Sequence, residues 1–144
     1  MPHNGSGSRQ DRCTQNSVTS INSTTITTQT NKTRSAEEKL ERIRRLNDRF
    51  RRTFLGGRLL ITRGVEALAD GTRIELFNGI RAYDTFSPEN DPYTEHDFGS
   101  LKVGGQLIFW KIDYYDADLV GGSPDPSDPA VTTRVMTVML AEEY

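Results

Sequence analysis

Apolar and polar residues alternate most regularly over residues 95–116, where two extended runs meet at Gly104-Gly105. Two glycines suit a two-residue hairpin turn, because both central residues of that turn need positive φ. Such a turn places Val103 opposite Gln106 and fixes every other cross-strand pair. The pattern therefore predicts a β-hairpin in which Gly99 lies opposite Trp110 and leaves room for its indole.

The hairpin register divides the side chains between two faces. The face predicted to be the core holds Leu101, Val103, Ile108, Trp110, Ile112 and Tyr114. The second face mixes aromatic and charged residues, namely His96, Phe98, Ser100, Lys102, Leu107, Phe109, Lys111, Asp113 and Tyr115. On this second face we expect His96 opposite Asp113 and Phe98 opposite Lys111. The pattern leaves open which of the two faces the helices cover.

Helical spacing occurs twice before the hairpin. A capping box at Ser35 predicts the start of the first helix, and Gly56-Gly57 its end. Its apolar positions are Leu40, Ile43, Leu46, Phe50 and Phe54. A second capping box at Thr72 predicts a helix of about three turns with a broad apolar face. Between the two helices, the apolar run over residues 58–62 is typical of a buried strand.

A final strand is predicted over residues 133–140, after a loop that contains three prolines. The order is thus helix, strand, helix and three strands. It predicts an α+β fold of two layers, with helices packed on an antiparallel sheet of about four strands and a central β-hairpin. We expect one domain over residues 35–144. Residues 1–34 are polar and contain no aromatic residue, which predicts a disordered tail.

Composition narrows the class of protein. Cys13 is the only cysteine of the 144 residues, so an intramolecular disulfide and a thiolate metal cluster are both excluded. The chain shows no apolar run of membrane-spanning length and no signal peptide, and we expect a cytoplasmic protein without a membrane partner. The formal net charge of -2 implies no particular partner, but basic residues dominate residues 39–63 and acidic residues dominate residues 84–144.

Four stretches resemble an uncharacterised family of small alphaproteobacterial proteins that is defined only as a domain of unknown function. They are residues 90–99 (NDPYTEHDFG), 109–116 (FWKIDYYD), 122–126 (GSPDP) and 134–144 (RVMTVMLAEEY). The resemblance extends over residues 42–144 and departs from the family at Asp70-Gly71-Thr72. It brings no activity and no catalytic residues. It implies an accessory gene of mobile elements, with a counter-defence or regulatory role.

An acidic cluster with one imidazole is the strongest candidate for chemistry. Glu95, His96, Asp97 and Asp113 offer ligands for a divalent metal and would suit a metal-dependent hydrolase or nuclease. Against this, consecutive strand residues point to opposite faces, so Glu95 and Asp97 cannot both join His96 within a regular strand. A cross-strand polar pair between His96 and Asp113 explains the same residues. Apart from this metal, we expect no cofactor.

Other chemistry has less support. Neither Ser100 nor Ser123 lies on the strand–turn–helix elbow that activates a serine, and no glycine loop suits phosphate, so we assign no catalytic residue. The first helix has an arginine-rich outer face, which would suit nucleic acid or an acidic protein surface. Its exposed positions include Arg42, Arg45, Arg49 and Arg52, with Arg44 and Arg51 beside them.

The preferred interpretation is a small, non-enzymatic accessory factor that binds another protein. Aromatic side chains ringed by charges are typical of interface centres. The second hairpin face has this composition, and its candidate binding residues are His96, Phe98, Phe109, Lys111, Asp113 and Tyr115. A homodimer formed through an exposed strand is the self-complementary version of the same hypothesis.

Overall fold

The computed structural model describes residues 29–144. Helix α1 covers residues 29–53. It is followed by β1 (Arg58–Ile61), α2 (Arg63–Glu66), α3 (Asp70–Arg81), β2 (Phe98–Val103), β3 (Gln106–Tyr115), β4 (Thr133–Leu140) and a 3-10 turn (Ala141–Glu143). The chain divides into two compact units, Met1–Glu38 and Lys39–Tyr144. The sheet, its helices and the sites described below lie in the second unit.

The four strands form one sheet in the order β1-β4-β3-β2. Strand β3 pairs antiparallel with both β2 and β4, whereas β1 runs parallel to β4. The predicted α+β class is confirmed, and the antiparallel arrangement holds for three of the four strands. The hairpin is not central, because β3 and β4 occupy the middle of the sheet and β2 lies at its edge.

The predicted hairpin register is confirmed. Gly104 and Gly105 have φ values of 59° and 78°, as a primed two-residue turn requires. Val103 pairs with Gln106, and Gly99 pairs with Trp110. The final strand has the predicted limits, Thr133–Leu140.

The helices cover the face of the sheet that contains Trp110. The core on that face packs residues of the helices, and Tyr83 after α3, against residues of the sheet. Its most deeply buried members are Phe50, Val65, Leu76, Ile80, Ile108, Trp110, Met136 and Val138. Tyr83 packs edge-on against Trp110, with ring centroids 5.4 Å apart. A Cβ atom on Gly99 would lie only 2.5 Å from Trp110 Nε1, so this strand position needs glycine. The opposite face of the sheet is left without a helix among the described residues.

Several local predictions are wrong. Strand β1 is exposed along its whole length instead of buried, because it lies at the edge of the sheet. Helix α3 begins at Asp70 with Ala69 as its N-cap, so Thr72 does not cap it. The short helix α2 was not predicted. Helix α1 already includes residues 29–34, and Ser35 is therefore not its first cap.

The predicted disordered tail, residues 1–34, falls mostly outside the described residues. Of its members only residues 29–34 are described, and they belong to α1. Thr33 is accommodated inside the helix because its hydroxyl donates to the Gln29 carbonyl at 2.9 Å. Within residues 29–144, no helix is long and apolar enough to cross a membrane.

Candidate functional site

The sheet face without a helix is the first candidate site, and we refer to it as the open face. Its side chains come from all four strands, as the register shows, and they include Arg58, Leu60, Phe98, Phe109, Lys111, Asp113, Tyr115, Val135, Thr137 and Met139. A single row crosses the sheet from Phe98 through Lys111 and Thr137 to Leu60. Five of the six predicted binding residues lie on this face, and the sixth, His96, does not.

Three aromatic rings cluster at one end of the open face. Phe98 and Phe109 have centroids 5.4 Å apart, and Tyr144 packs edge-on against Phe109 at 5.7 Å. Tyr144 is 76% exposed, so one side of the cluster faces solvent. Sequence reasoning missed Tyr144, because nothing in a strand pattern shows that the residue after the 3-10 turn folds back over the sheet.

Charges adjoin the aromatic cluster. Lys111 Nζ lies 3.1 Å from Asp113 Oδ2 along the same strand, and both side chains are more than a third exposed. The hydrogen bond that Lys111 donates to Asp113 raises the pKa of Lys111. A cavity of about 680 Å³ lies along this face, lined by Leu60, Lys111, Asp113, Tyr115, Met139 and Tyr144 among others. The open face therefore combines a concave apolar surface with an ion pair that remains accessible to solvent.

His96 lies on the helix side, away from Asp113, so their predicted pairing is wrong. Strand β2 begins only at Phe98, and His96 has a φ of 57°. Asp91 delays the start of the strand, because its Oδ1 accepts the amides of Glu95 at 2.9 Å and His96 at 3.2 Å. The ring of His96 stacks on Phe86 at 3.9 Å, and its Nδ1 lies 2.9 Å from Asp48 Oδ1.

The imidazole of His96 thus joins the 91–97 loop to helix α1. Its Nε2 lies 3.9 Å from Asp91 Oδ2. Among the described residues no hydroxyl or thiol hydrogen-bonds to Nε2, so the pair of Asp48 and His96 lacks a nucleophile. This arrangement can hold the ring in place, but it does not assemble a nucleophilic triad.

The four candidate metal ligands are dispersed. Glu95 accepts a hydrogen bond from the Tyr114 hydroxyl at 2.7 Å, Asp113 lies on the open face, and His96 contacts Asp48. Over residues 29–144, no group of three or more His, Cys, Asp or Glu side chains is placed to hold a metal ion. The predicted metal ligands therefore do not converge on one point.

Asp97 lies immediately before β2, where its carbonyl accepts the Ile112 amide at 2.8 Å. Burial raises the pKa of its carboxyl to about 6, and the nearby charges of Glu95 and Asp91 contribute to the same shift. The folded state therefore binds this proton more tightly than the unfolded state does. The stabilisation that the protonated Asp97 carboxyl contributes to the folded state is fully present below the unfolded pKa of 3.8. It is lost as pH rises through about 6.

Asp97→Asn is therefore expected to stabilise the protein at pH 7.5 by about 1–2 kcal/mol, allowing for solvent screening of this half-buried group. At pH 4 the variant and the wild type should differ little, because the wild-type carboxyl is then mostly protonated when folded. Urea unfolding at both pH values measures the difference. Asp118→Asn, at an exposed loop position, is the matched control. An equal gain at both pH values would contradict the raised pKa.

The comparisons with known proteins place the chain in one family. The family model described as "Protein of unknown function (DUF3768)" matches residues 61–143, more than half of the chain. The chain belongs to the DUF3768 family. The predicted relationship to a domain of unknown function is thereby confirmed. Neither a curated protein nor a solved structure matches the chain.

The part matched by DUF3768 contains nearly all of the open face, but not helix α1. That helix supplies a buried polar network that sequence reasoning also missed. Asn47 is fully buried, donates to the Tyr114 hydroxyl at 2.6 Å and accepts from Arg134 Nε at 2.8 Å. Arg134 also donates to the Pro126 carbonyl at 2.6 Å. Burial lowers the pKa of Arg134. The network fixes the helix against β3, β4 and the proline-rich loop.

The arginines of α1 do not form one uniform face in this DUF3768 protein. The four residues predicted as the basic face, Arg42, Arg45, Arg49 and Arg52, are exposed. Arg51 is fully buried, so its placement on the outer face was wrong. Arg44 is half-buried and donates to the Thr94 carbonyl at 2.8 Å. Nucleic-acid binding by the remaining four stays an untested prediction.

Proposed function

We propose that the protein is a non-enzymatic binding module that docks on another protein through the open face. The observation that supports this most is the partly exposed cluster of Phe98, Phe109 and Tyr144 beside the solvent-accessible ion pair of Lys111 and Asp113. Interface centres are enriched in aromatic residues, and their rims are polar. The open face has both features in one continuous surface.

The partner should match this surface in shape and charge. A branched aliphatic or aromatic side chain would fill the cavity along the face, as anchors do in protein–protein hot spots. The ion pair next to it can exchange its internal contact for polar contacts with the partner at little cost, since both of its groups are already hydrated. The family resemblance favours an accessory role for such a module in the cytoplasm, in regulation or counter-defence.

Phe109→Ala and Tyr115→Ala are expected to abolish partner binding while leaving the monomer folded. Truncation of a hot-spot aromatic residue typically costs 2 kcal/mol or more, or about 30-fold in affinity. Pull-down from a lysate of the native host, compared between wild type and variants, measures the effect. Circular dichroism reports whether each variant is folded.

Val120→Ala is the matched control, because Val120 is apolar and 87% exposed but belongs to a loop. A photo-crosslinking amino acid in place of Tyr115 should capture the same partner, and the same amino acid in place of Val120 should not. If Phe109→Ala and Val120→Ala retain the partner equally, the open face is not the docking surface. A wild-type dimer in light scattering that Phe109→Ala dissociates would identify a second copy as the occupant, which replaces the proposed partner protein.

A further inference from the structure

Strand β1 presents free backbone groups along its outer side. In the part of the chain that the structure describes, it is a terminal strand of the sheet, paired with β4. The Thr62 amide donates to the Val138 carbonyl at 3.1 Å, so the backbone N–H and C=O groups of Thr62 are directed toward β4. Successive strand residues direct their backbone groups to opposite sides of the strand. The backbone groups of Leu60 are therefore also directed toward β4, whereas those of Leu59 and Ile61 are directed away from it. The amides and carbonyls of Leu59 and Ile61 can therefore pair with an added strand.

The side chains of β1 are apolar and accessible. Leu59 is 38% exposed, Leu60 is 54% exposed and Ile61 is 39% exposed. Edge strands of monomeric proteins are commonly protected by proline, by inward-pointing charges or by a bulge. Strand β1 has no proline, and its only charged residue, Arg58, stands at its start. The edge is thus open to pairing.

A groove continues from this edge on the helix side of the sheet. It encloses about 680 Å³, and its apolar walls come from β1, α3 and the residue that follows α1, including Leu59, Ile61, Ile74, Phe77 and Phe54. Alternate side chains of an added strand would enter this groove, because they lie on the same side of the sheet as Leu59 and Ile61. Recognition of this kind combines main-chain pairing with pockets for alternate residues.

The charged residues around the edge of β1 indicate which kind of partner segment would bind there. Arg58 and Arg63 bracket β1 in the sequence, and Arg81 lines the groove. None of these three forms an ion pair with a carboxylate of the described residues, whereas Arg73 is paired with Asp70. A second copy of this chain would bring the same unpaired arginines to the new junction. An acidic segment would instead neutralise them.

We infer that the outer edge of β1 accepts an extended acidic segment of a partner protein as a fifth strand of the sheet. The segment has aliphatic side chains at alternate positions that enter the groove beside Leu59 and Ile61, and it has acidic residues at its ends that face Arg58 and Arg81. This inference does not depend on the proposed function. The groove and the outward backbone groups of Leu59 and Ile61 lie apart from the aromatic cluster, although Arg58 and Leu60 of the same strand also line the cavity of the open face.

The first test needs no variant. The probe is the nonapeptide Glu-Glu-Val-Thr-Val-Thr-Val-Glu-Glu, added to the full-length protein and followed by amide hydrogen exchange in NMR. At a peptide concentration of about ten times its Kd, the Leu59 and Ile61 amides should exchange roughly tenfold more slowly. The Leu60 amide should change little, because its backbone already points toward β4. Unchanged exchange at Leu59 and Ile61 at millimolar peptide would overturn the inference.

The second test separates backbone pairing from side-chain contact. Leu59→Pro removes an outward amide and no bond to β4, and proline is tolerated at such edge positions. Leu59→Val keeps the amide and an apolar side chain. In fluorescence polarisation with the labelled peptide, Leu59→Pro should weaken binding at least tenfold and Leu59→Val less than threefold. Arg81→Glu should also weaken it about tenfold, and a peptide with lysines replacing the glutamates should bind about tenfold more weakly than the acidic one.

Controls on the other surface keep the two proposals apart. Phe109→Ala and Tyr115→Ala should leave peptide affinity within twofold of wild type, since neither residue lines the groove. If these two variants lose the peptide and Leu59→Pro retains it, the peptide binds the open face and the inference fails. Equal affinity for the acidic and the lysine peptides would refute the charge argument. Concentration-dependent protection of Leu59 and Ile61 without peptide would identify a second copy at the edge, which also overturns it.

Discussion

Arg51→Met is expected to destabilise the folded protein by about 3–5 kcal/mol, the usual cost of breaking a buried ion pair. Arg51 is 1% exposed, and its guanidinium donates to the carbonyls of Ile80 and Arg81 at 2.9 Å each and to Asp48 Oδ1 at 3.0 Å. Methionine fills much of the volume but removes the guanidinium donors of both carbonyls and of Asp48. The Ile80 carbonyl keeps the Tyr83 amide at 3.2 Å and Asp48 keeps His96, so the Arg81 carbonyl loses the most.

Urea unfolding of Arg51→Met beside Arg52→Met measures this effect. Arg52 is the next residue on the same helix but is exposed, so its replacement should change the free energy of unfolding by less than about 0.5 kcal/mol. Arg51→Lys should fall between the two, because a lysine keeps the charge but has no planar fork of donors. Equal unfolding free energies for the two methionine variants would mean that Arg51 is solvated and the described core is wrong.

Gly99→Ala is expected to cost about 3 kcal/mol, at the upper end of the range for overpacked cores. The added Cβ would stand 2.5 Å from Trp110 Nε1 and 2.7 Å from Tyr83 Cζ, and neither ring is free to move within the core. Thermal unfolding measures the loss, and near-ultraviolet circular dichroism should show a changed tryptophan environment.

Two further variants test the cause of that loss. Gly71→Ala adds the same methyl group in helix α3 with no atom within 4 Å, and should stabilise the protein by up to about 1 kcal/mol. In a double-mutant cycle, Trp110→Phe should recover part of the cost of Gly99→Ala, because the smaller ring relieves the contact. Strictly additive effects would show that the two residues do not touch.

The hairpin was predictable because its constraints are local. Gly104-Gly105 favours a two-residue primed turn, and a loop of that length fixes the register of β2 and β3 before any tertiary contact is considered. The limits of β4 were predictable for a similar reason, since a proline-rich loop precedes it and its residues are β-branched or apolar. The same local rule failed at His96, because the Asp91 side chain, five residues earlier, binds the amides that a longer strand would have used.

Arg51 was misplaced because its residue type was weighed above its spacing. Ile43, Asn47, Phe50, Arg51 and Phe54 follow helical periodicity and lie on one side of α1, so the spacing alone indicates an inward position. A buried arginine becomes acceptable only when carbonyls and a carboxylate surround it. The last turn of α3 and Asp48 supply them here, and the contact with α3 joins segments about thirty residues apart.

Strand β1 shows a different limit of prediction from the sequence. An apolar run of four residues is compatible with a central strand and with an edge strand, because both are β-branched or aliphatic in composition. Its position depends on which strand pairs with β4, and that choice is not encoded within the run. Tyr144 is similar, since its contact with Phe109 depends on the direction in which the chain leaves the 3-10 turn.

The contribution of α1 to the core shows that the folded domain begins upstream of the range matched by sequence similarity. Phe50, Asn47 and Arg51 come from this helix and are buried among residues of the sheet and of α3, yet the family match begins only at residue 61. An expression fragment cut at the matched range would leave Trp110 and Ile80 partly uncovered and the Arg134 guanidinium without Asn47. Recombinant versions of the domain should therefore start upstream of the conventional family boundary, with at least residues 39–60 included, if they are to be recovered as folded, non-aggregating material.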